Sequence, residues 1–150
     1  MAAIGIDCSG KIDSLPMYMV AAKQDDCRVI CVTSIPEWIR RKHRDWKFLC
    51  YACYAFMAIK PLFRKEPRDS VLMDRDFDSE GLKKVQRYLE VLLGEYFVLP
   101  RQQLVTIGDD KDRPVFTADT LSRQARRGRV RISLRNPSIT KEFNLLLARL

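Results

Sequence analysis

The feature that most constrains the fold is a short apolar run that opens the chain and ends in a carboxylate. Ala2 to Ile6 has the length and composition of a buried strand, and Asp7 closes it ahead of the small residues 8–10. Burying an unpaired carboxylate costs free energy, so Asp7 needs a hydrogen-bond donor, a cation or a metal as its partner. Because Asp, Ser and Gly also form turns, a plain turn at Asp7 is the alternative interpretation.

The charge balance favours a polyanionic partner. The 150 residues include 27 Lys plus Arg against 19 acidic residues, which gives a formal net charge of +8. An excess of cations of this size is typical of proteins that bind nucleic acid. The length is sufficient for one domain with a core of its own, since 47% of the residues are hydrophobic.

The cysteines and the apolar segments indicate the compartment. Five cysteines, an odd number, fit a disulfide framework poorly. Cys50 and Cys53 lie in an apolar helical run and His43 is the only histidine, so we predict buried thiols and no zinc site. The apolar run from Phe48 to Ile59 is shorter than the roughly 20 residues of a membrane span. Since the opening residues do not resemble a secretory signal, we expect a cytoplasmic protein with no membrane segment.

The order of strands and helices predicts an α/β fold. Three strands joined by short turns are typical of an antiparallel meander. A long helix, a strand, a helix, a strand and a helix follow, and the last of these has Thr117 as its predicted cap and Gly128 as its end. The predicted segments are 2–6, 16–22, 28–34, 34–60, a strand from residue 70, 80–96, 102–107 and 116–128.

The last part of the sequence is predicted to be an extension. Residues 129–134 alternate basic and apolar side chains, which indicates an extended arm or an extra strand. Residues 140–150 predict a short helix with one apolar face, which docks on the domain or on another subunit of a homo-oligomer. We therefore divide the chain into a domain, 1–128, and a C-terminal arm and helix, 129–150.

Carboxylates also follow the fourth strand and occur in a late helix. Asp74 and Asp76 come directly after a short apolar run, and strand alternation places them on one face. Asp78 is more simply the N-cap of the next helix. Asp119 falls in the first turn of the predicted helix 116–128, where the helix dipole alone would explain a carboxylate.

Two basic segments are candidates for contact with nucleic acid. The first half of the long helix is cationic and contains Trp38 and Trp46, and indole rings can stack on bases. The alternative is a solvated face with two half-buried tryptophans. The residues that we assign to nucleic-acid binding are Arg40, Arg41, Arg44, Arg123, Arg126, Arg127 and Arg129.

The order β-β-β-α-β-α-β-α with three acidic positions resembles the ribonuclease H-like superfamily. The opening Ile4-Gly-Ile-Asp-Cys-Ser-Gly10 looks like the glycine-rich opening of type 2 ribonucleases H, in which a glutamate stands where this chain has Cys8. The resemblance covers roughly residues 1 to 128. It implies a mixed five-stranded sheet with strands one and four adjacent at its middle, and it makes Asp7, Asp74 and Asp119 the expected catalytic carboxylates.

The resemblance also implies a function. The sequence looks like that of small archaeal metal-dependent exonucleases of single-stranded DNA, and we expect Mg²⁺ or Mn²⁺ as cofactor, with single-stranded DNA as the favoured partner. The expected metal ligands are Asp7, Asp74, Asp76 and Asp119. A non-catalytic nucleic-acid-binding domain on the same scaffold is the alternative, supported by Cys8 and by the lack of an obvious acidic ligand in the first helix. One half of a sugar-kinase-like or actin-like ATPase is a third interpretation, although two such halves are needed to form that site.

Overall fold

The computed structural model describes residues 2–100, 103–108 and 111–150. Within these residues the chain forms a six-stranded mixed sheet and five helices, which confirms the predicted α/β class. The strands are β1 (Ala3–Lys11), β2 (Ser14–Lys23), β3 (Asp26–Val32), β4 (Ser70–Met73), β5 (Val105–Ile107) and β6 (Leu134–Arg135). The helices are α1 (Glu37–Lys42), α2 (Trp46–Ile59), α3 (Ser79–Phe97), α4 (Arg113–Arg126) and α5 (Thr140–Arg149).

The sheet has the order β5-β4-β1-β2-β3-β6. Strands β1, β2 and β3 form the predicted antiparallel meander, and β4 and β5 are added parallel to β1 on its other side. The predicted number of five strands is wrong for the described residues. Residues 134–135 pair with β3 as the short parallel strand β6, because the extension returns along the edge of the sheet.

Strand β1 is longer than predicted, and this changes the position of Asp7. The strand continues to Lys11 and pairs with β2 from Gly5 onward, with an irregularity between Ser9 and Lys11, so Asp7 lies mid-strand opposite Val20 instead of closing the strand. On its other side, β1 pairs with β4 only from Ala3 to Ile6. Asp7 is therefore the first residue of β1 beyond the point where β4 ends.

The two faces of the sheet are covered unequally. Ile4 and Ile6 of β1 belong to the main core, which includes buried residues of α1, α2, α3 and α5. The intervening residues of β1 point to the opposite face, where α4 packs over β1 and β2 and a smaller cluster forms around Val20 and Ala118. Asp7 consequently lies on the α4 face and Cys8 on the face of the main core.

Gly5 permits the close contact between α4 and β1. A Cβ atom added at Gly5 would overlap the backbone of Pro114 and Val115 at the start of α4. Backbone atoms cannot move aside as the end of a flexible side chain can, so a side chain at this position forces α4 away from the sheet. The contact fixes where α4 begins to cross β1.

Replacing Gly5 with alanine is expected to lower the free energy of unfolding by about 3 kcal/mol or more. The matched control is Gly94→Ala in α3, where an added Cβ meets no atom within 4 Å. Alanine in that helix interior should raise stability by about 0.5–1 kcal/mol. Urea unfolding of both variants measures the difference, and equal stability of Gly5→Ala and the unmodified protein would show that α4 does not pack here.

The long helix predicted over 34–60 is two helices. The chain breaks between α1 and α2 because His43 is extended, with φ −149° and ψ 141°. The His43 Nδ1 atom accepts a hydrogen bond from the Asp45 N–H at 3.0 Å, which stabilises the break. The prediction that the second half is buried holds, because α2 is covered along most of its length.

Helix α4 begins three residues earlier than predicted. Thr117 is not its cap; its hydroxyl donates to the carbonyl of Arg113 inside the helix. Asp119 therefore lies in the second turn, where the helix dipole alone no longer explains it. The end was predicted correctly, since Gly128 adopts a left-handed φ of 72° immediately after the helix.

The C-terminal helix lies on the main core. Phe143 and Leu146 of α5 are buried, and the ring of Trp38 meets that of Phe143 edge-on at 5.9 Å. The Arg149 guanidinium binds Glu95 of α3 at 2.7 Å. None of the helices in the described ranges combines the length and the apolar composition that a bilayer crossing requires.

Candidate functional site

A cluster of acidic side chains lies where β1 and β4 separate. Asp7 is only 3% exposed, and one of its carboxylate oxygens accepts the Cys8 N–H at 2.7 Å. The chain leaves β4 at Asp74, whose N–H donates to the carbonyl of Ile6 at 3.2 Å, and then turns so that Asp76 comes back toward β1. Ligand atoms of Asp7, Cys8 and Asp76 all lie within 4.8 Å of one another.

Asp76 connects the two faces of the sheet. Its Oδ2 atom accepts a hydrogen bond from the Tyr51 hydroxyl at 2.6 Å and lies 3.5 Å from the Cys8 thiol, and both groups belong to the face of the main core. The same carboxylate reaches Asp7, which points to the α4 face. The position of Asp76 in the turn after β4 allows this, because the chain there passes beside β1.

Tyr51 is a residue of the site that the sequence does not single out. It lies in α2, is almost wholly buried, and orients the Asp76 carboxylate. A phenol in an apolar helix must find a polar partner, and that requirement is visible in the sequence. Tyr54 in the same helix meets the same description, so the requirement alone does not identify Tyr51.

Helix α4 carries Asp119 to the same place. From Pro114 to Asp119 the helix rises about 7.5 Å, and from Gly5 to Asp7 the strand rises about 6.7 Å. Since Pro114 lies against Gly5, a helix that follows the strand brings Asp119 over Asp7, and the two side chains interact. The Asp119 carboxylate also pairs with Arg123 at 2.9 Å.

The electrostatics of the cluster are unfavourable without a cation. The pKa of the Asp7 carboxyl is raised to about 9, mainly by burial and further by the charges of Asp76 and Asp74 and the contact with Asp119, while the hydrogen bond from the Cys8 N–H opposes the rise. Asp76 is exposed overall, but its carboxyl group faces Tyr51 and Cys8. The loss of water around that carboxyl group raises the pKa of Asp76 as well. A divalent cation would relieve both the desolvation and the repulsion.

The predicted site residues are brought together in part. Asp74 and Asp119 act on the pKa of Asp7, so all four predicted metal ligands belong to one electrostatic cluster. The three residues within 4.8 Å of one another, however, are Asp7, Asp76 and Cys8. Cys8 was predicted only as a departure from the pattern of the family, and the structure places its sulfur among the oxygen atoms.

The donor set fits a divalent ion. Carboxylate oxygens are the ligands that Mg²⁺ and Mn²⁺ prefer, and sulfur suits softer ions. Burial and the charge of Asp76 raise the pKa of the Cys8 thiol, so the thiol stays protonated in the metal-free protein. Asp7 and Asp76 are therefore the first candidates to hold the ion, with Asp74 and Asp119 close enough to add charge.

The first basic segment makes its contacts within the chain. Arg40 lies over the ring of Trp46 at 5.0 Å, and Arg41 reaches Glu37 at 3.3 Å. The ring of Trp38 faces Lys42 in a similar way, at 5.5 Å. Both tryptophan rings therefore already face cations of the same chain, as the alternative interpretation of a solvated face predicts. Arg44 is exposed and remains a candidate for phosphate contact.

The second basic segment extends from α4 toward the edge of the sheet. Arg123 is exposed and held by Asp119, next to the acidic cluster. Arg126, Arg127 and Arg129 follow at the C-terminal end of α4, and all three are exposed. Cations there are also stabilised by the helix dipole, which is the structural explanation of their position.

Comparison of the chain with known protein families, with curated proteins and with solved structures found no match. The function is therefore argued from the geometry of the site.

Proposed function

We propose that this protein is a metal-dependent nuclease on a ribonuclease H-like scaffold, which hydrolyses phosphodiester bonds and favours single-stranded DNA. The observation that carries the proposal is the acidic cluster, in which buried Asp7 meets Asp76 within 4.8 Å and interacts with Asp74 and Asp119. Folded proteins concentrate such unfavourable charge arrangements mainly at functional sites.

The topology supports the same scaffold. Strands β1 and β4 are parallel neighbours in the middle of the sheet, and β1 is antiparallel to β2, which is the arrangement that the resemblance to ribonucleases H implies. Helix α4 brings a carboxylate to the end of that strand pair, as the resemblance also implies for the late helix.

The residues of the cluster have distinct roles in this proposal. A bound Mg²⁺ or Mn²⁺ would supply an activated water and would stabilise the leaving oxygen of the phosphodiester. Asp7 and Asp76 would hold the ion, and Tyr51 fixes the orientation of Asp76 through its 2.6 Å hydrogen bond. Asp119, held by Arg123, contributes charge from the α4 side. The exposed arginines at the end of α4 hold the substrate backbone.

The alternative function is a non-catalytic nucleic-acid-binding domain on the same scaffold. Two observations favour it: Cys8 lies in the cluster as a protonated thiol, and Asp119 has a cationic partner of its own in Arg123. In this alternative Asp7 stays protonated, and the cluster holds no ion.

A cleavage assay decides between the two functions. End-labelled single-stranded DNA, duplex DNA, RNA and an RNA–DNA hybrid are incubated with the protein in Mn²⁺ or in chelator. The nuclease proposal expects shortening of the single-stranded DNA in Mn²⁺ and none in chelator. Binding of the same substrates with all four intact in Mn²⁺ would establish the alternative.

Replacing Arg126, Arg127 and Arg129 with alanine should weaken binding of single-stranded DNA and flatten its salt dependence. Each lost phosphate contact lowers the slope of log affinity against log salt by about 0.7, so the triple variant should lose about 2. The matched control removes three exposed cations elsewhere, Lys65, Lys83 and Lys141. Equal slopes for the two triple variants would assign the arginines to a solvated face.

A further inference from the structure

A groove of about 380 Å³ opens beside the acidic cluster, between the β1–β2 turn and the first turn of α2. A volume at the small end of the range for ligand pockets, about 300–1,000 Å³, suits a ligand the size of one nucleotide. The lining residues that matter for its chemistry are Cys8, Asp76, Lys11, Lys47, Phe48 and Phe77.

Two lysines from different elements face this groove. Lys11 is exposed at the end of β1, and Lys47 lies in the first turn of α2. The Lys47 ammonium is 3.5 Å from a carboxylate oxygen of Asp13, and the two side chains are 43% and 49% exposed. An ion pair so open to water contributes little, and a doubly charged phosphate competes for the lysine effectively.

An aromatic wall faces the same space. The rings of Phe48 and Phe77 meet edge-on with centroids 5.2 Å apart, and Phe77 meets Tyr51 in the same way at 4.9 Å. The Phe48 ring packs directly against Gly81 at the start of α3, where an added Cβ would lie 2.8 Å from the ring, and this contact supports the ring on one side. The Lys84 ammonium already lies over the Phe48 ring at 5.5 Å, so a nucleobase attached to a phosphate would contact the part of this aromatic surface that Lys84 leaves open.

We propose that this groove binds the terminal nucleotide of a strand, with its phosphate at Lys11 and Lys47 and its base against Phe48 and Phe77. The inference rests on the proposed nuclease function, because Asp76 of the acidic cluster also lines the groove. A strand that ends in the groove has the bond to its last nucleotide beside the cluster, which assigns the protein to exonucleases that release nucleoside monophosphates.

The carboxylates that line the groove make phosphate binding depend on a divalent ion. Asp13, Asp76 and Asp78 face the same groove and repel a phosphate. Asp78 is engaged as the N-cap of α3, where it accepts the Gly81 N–H at 2.8 Å, whereas Asp76 belongs to the cluster that would hold the ion. Binding of a monophosphate is therefore stronger with Mn²⁺ than with chelator.

The test is calorimetric titration of deoxyadenosine monophosphate into the full chain with Mn²⁺, with deoxyadenosine as the ligand without phosphate. The double variant Lys11→Ala/Lys47→Ala should bind the monophosphate about tenfold or more weakly, the loss expected for charge-assisted hydrogen bonds. Its affinity should approach that of the unmodified protein for deoxyadenosine. The control Lys83→Ala/Lys141→Ala removes the same charge from exposed positions and should bind as the unmodified protein does.

The outcomes separate this proposal from the nuclease proposal. If the monophosphate binds through the lysines and no nucleic acid is cleaved, the groove proposal is retained and the nuclease proposal is rejected. If single-stranded DNA is cleaved but the monophosphate binds independently of both lysines, or does not bind in the millimolar range, the groove proposal is overturned and the nuclease proposal is retained. An absence of both binding and cleavage rejects both proposals.

Discussion

Asp7→Asn is expected to lower the rate of single-stranded DNA cleavage in Mn²⁺ by on the order of a thousandfold or more, because loss of a metal ligand removes several kcal/mol of transition-state stabilisation. The variant should fold. An asparagine oxygen can accept the Cys8 N–H as the carboxylate does, and its amide nitrogen can donate to the neighbouring carboxylates. Single-turnover cleavage of an end-labelled strand measures the effect.

Asp69→Asn is the matched control, since Asp69 is the other buried aspartate of the described residues. Its carboxylate accepts hydrogen bonds from the N–H groups of Ala2 and Arg64 and pairs with Lys23. Breaking this buried ion pair should cost about 3 kcal/mol of stability. At a temperature at which it is folded, Asp69→Asn should cleave normally. Full activity of Asp7→Asn under the same conditions would remove Asp7 from the catalytic site.

The metal-free protein should become less stable as the pH rises from about 5 to about 8. The Asp7 carboxyl titrates near 3.8 in the unfolded chain and at about 9 in the folded one. Between these values the folded state holds a proton that the unfolded state releases, so rising pH favours unfolding. The contribution of this group approaches about 1.4 kcal/mol per pH unit.

Urea unfolding in chelator at the two pH values measures this effect, and Asp7→Asn isolates it. The variant lacks the titrating group, so its stability should depend less on pH, and at the higher pH it should exceed the stability of the unmodified protein. Identical pH profiles for the two proteins would show that Asp7 is ionised in the folded state without a metal.

The sequence predicts the meander and the helix that follows β4 because these depend on local rules. The apolar strands, with β-branched residues in the third, their short turns and the N-cap at Asp78 are all visible in the chain, and the Asp78 carboxylate does accept the Gly81 N–H. The break at His43 is not visible, because it contains neither Gly nor Pro and depends on one hydrogen bond from the Asp45 N–H.

The composition of the site depends on contacts between distant segments. That Asp7 is mid-strand follows from the pairing of Cys8, Ser9 and Lys11 with β2, although Ser9 and Gly10 favour a turn. Asp119 reaches Asp7 because Pro114 fits against Gly5, and no periodicity in either segment specifies that register. Asp76 joins Asp7 because β4 ends at Met73. The carboxylates that follow in the sequence indicate that the strand ends nearby but not at which residue.

Thermal melts with increasing Mn²⁺ measure whether the cluster around Asp7 binds a divalent ion. An ion that binds the folded state raises the melting temperature in proportion to the logarithm of its concentration above the dissociation constant. We predict a rise for the unmodified protein and for Asp69→Asn, and a much smaller rise for Asp7→Asn. A melting temperature of the unmodified protein that does not change with Mn²⁺ would show that the cluster does not bind the ion.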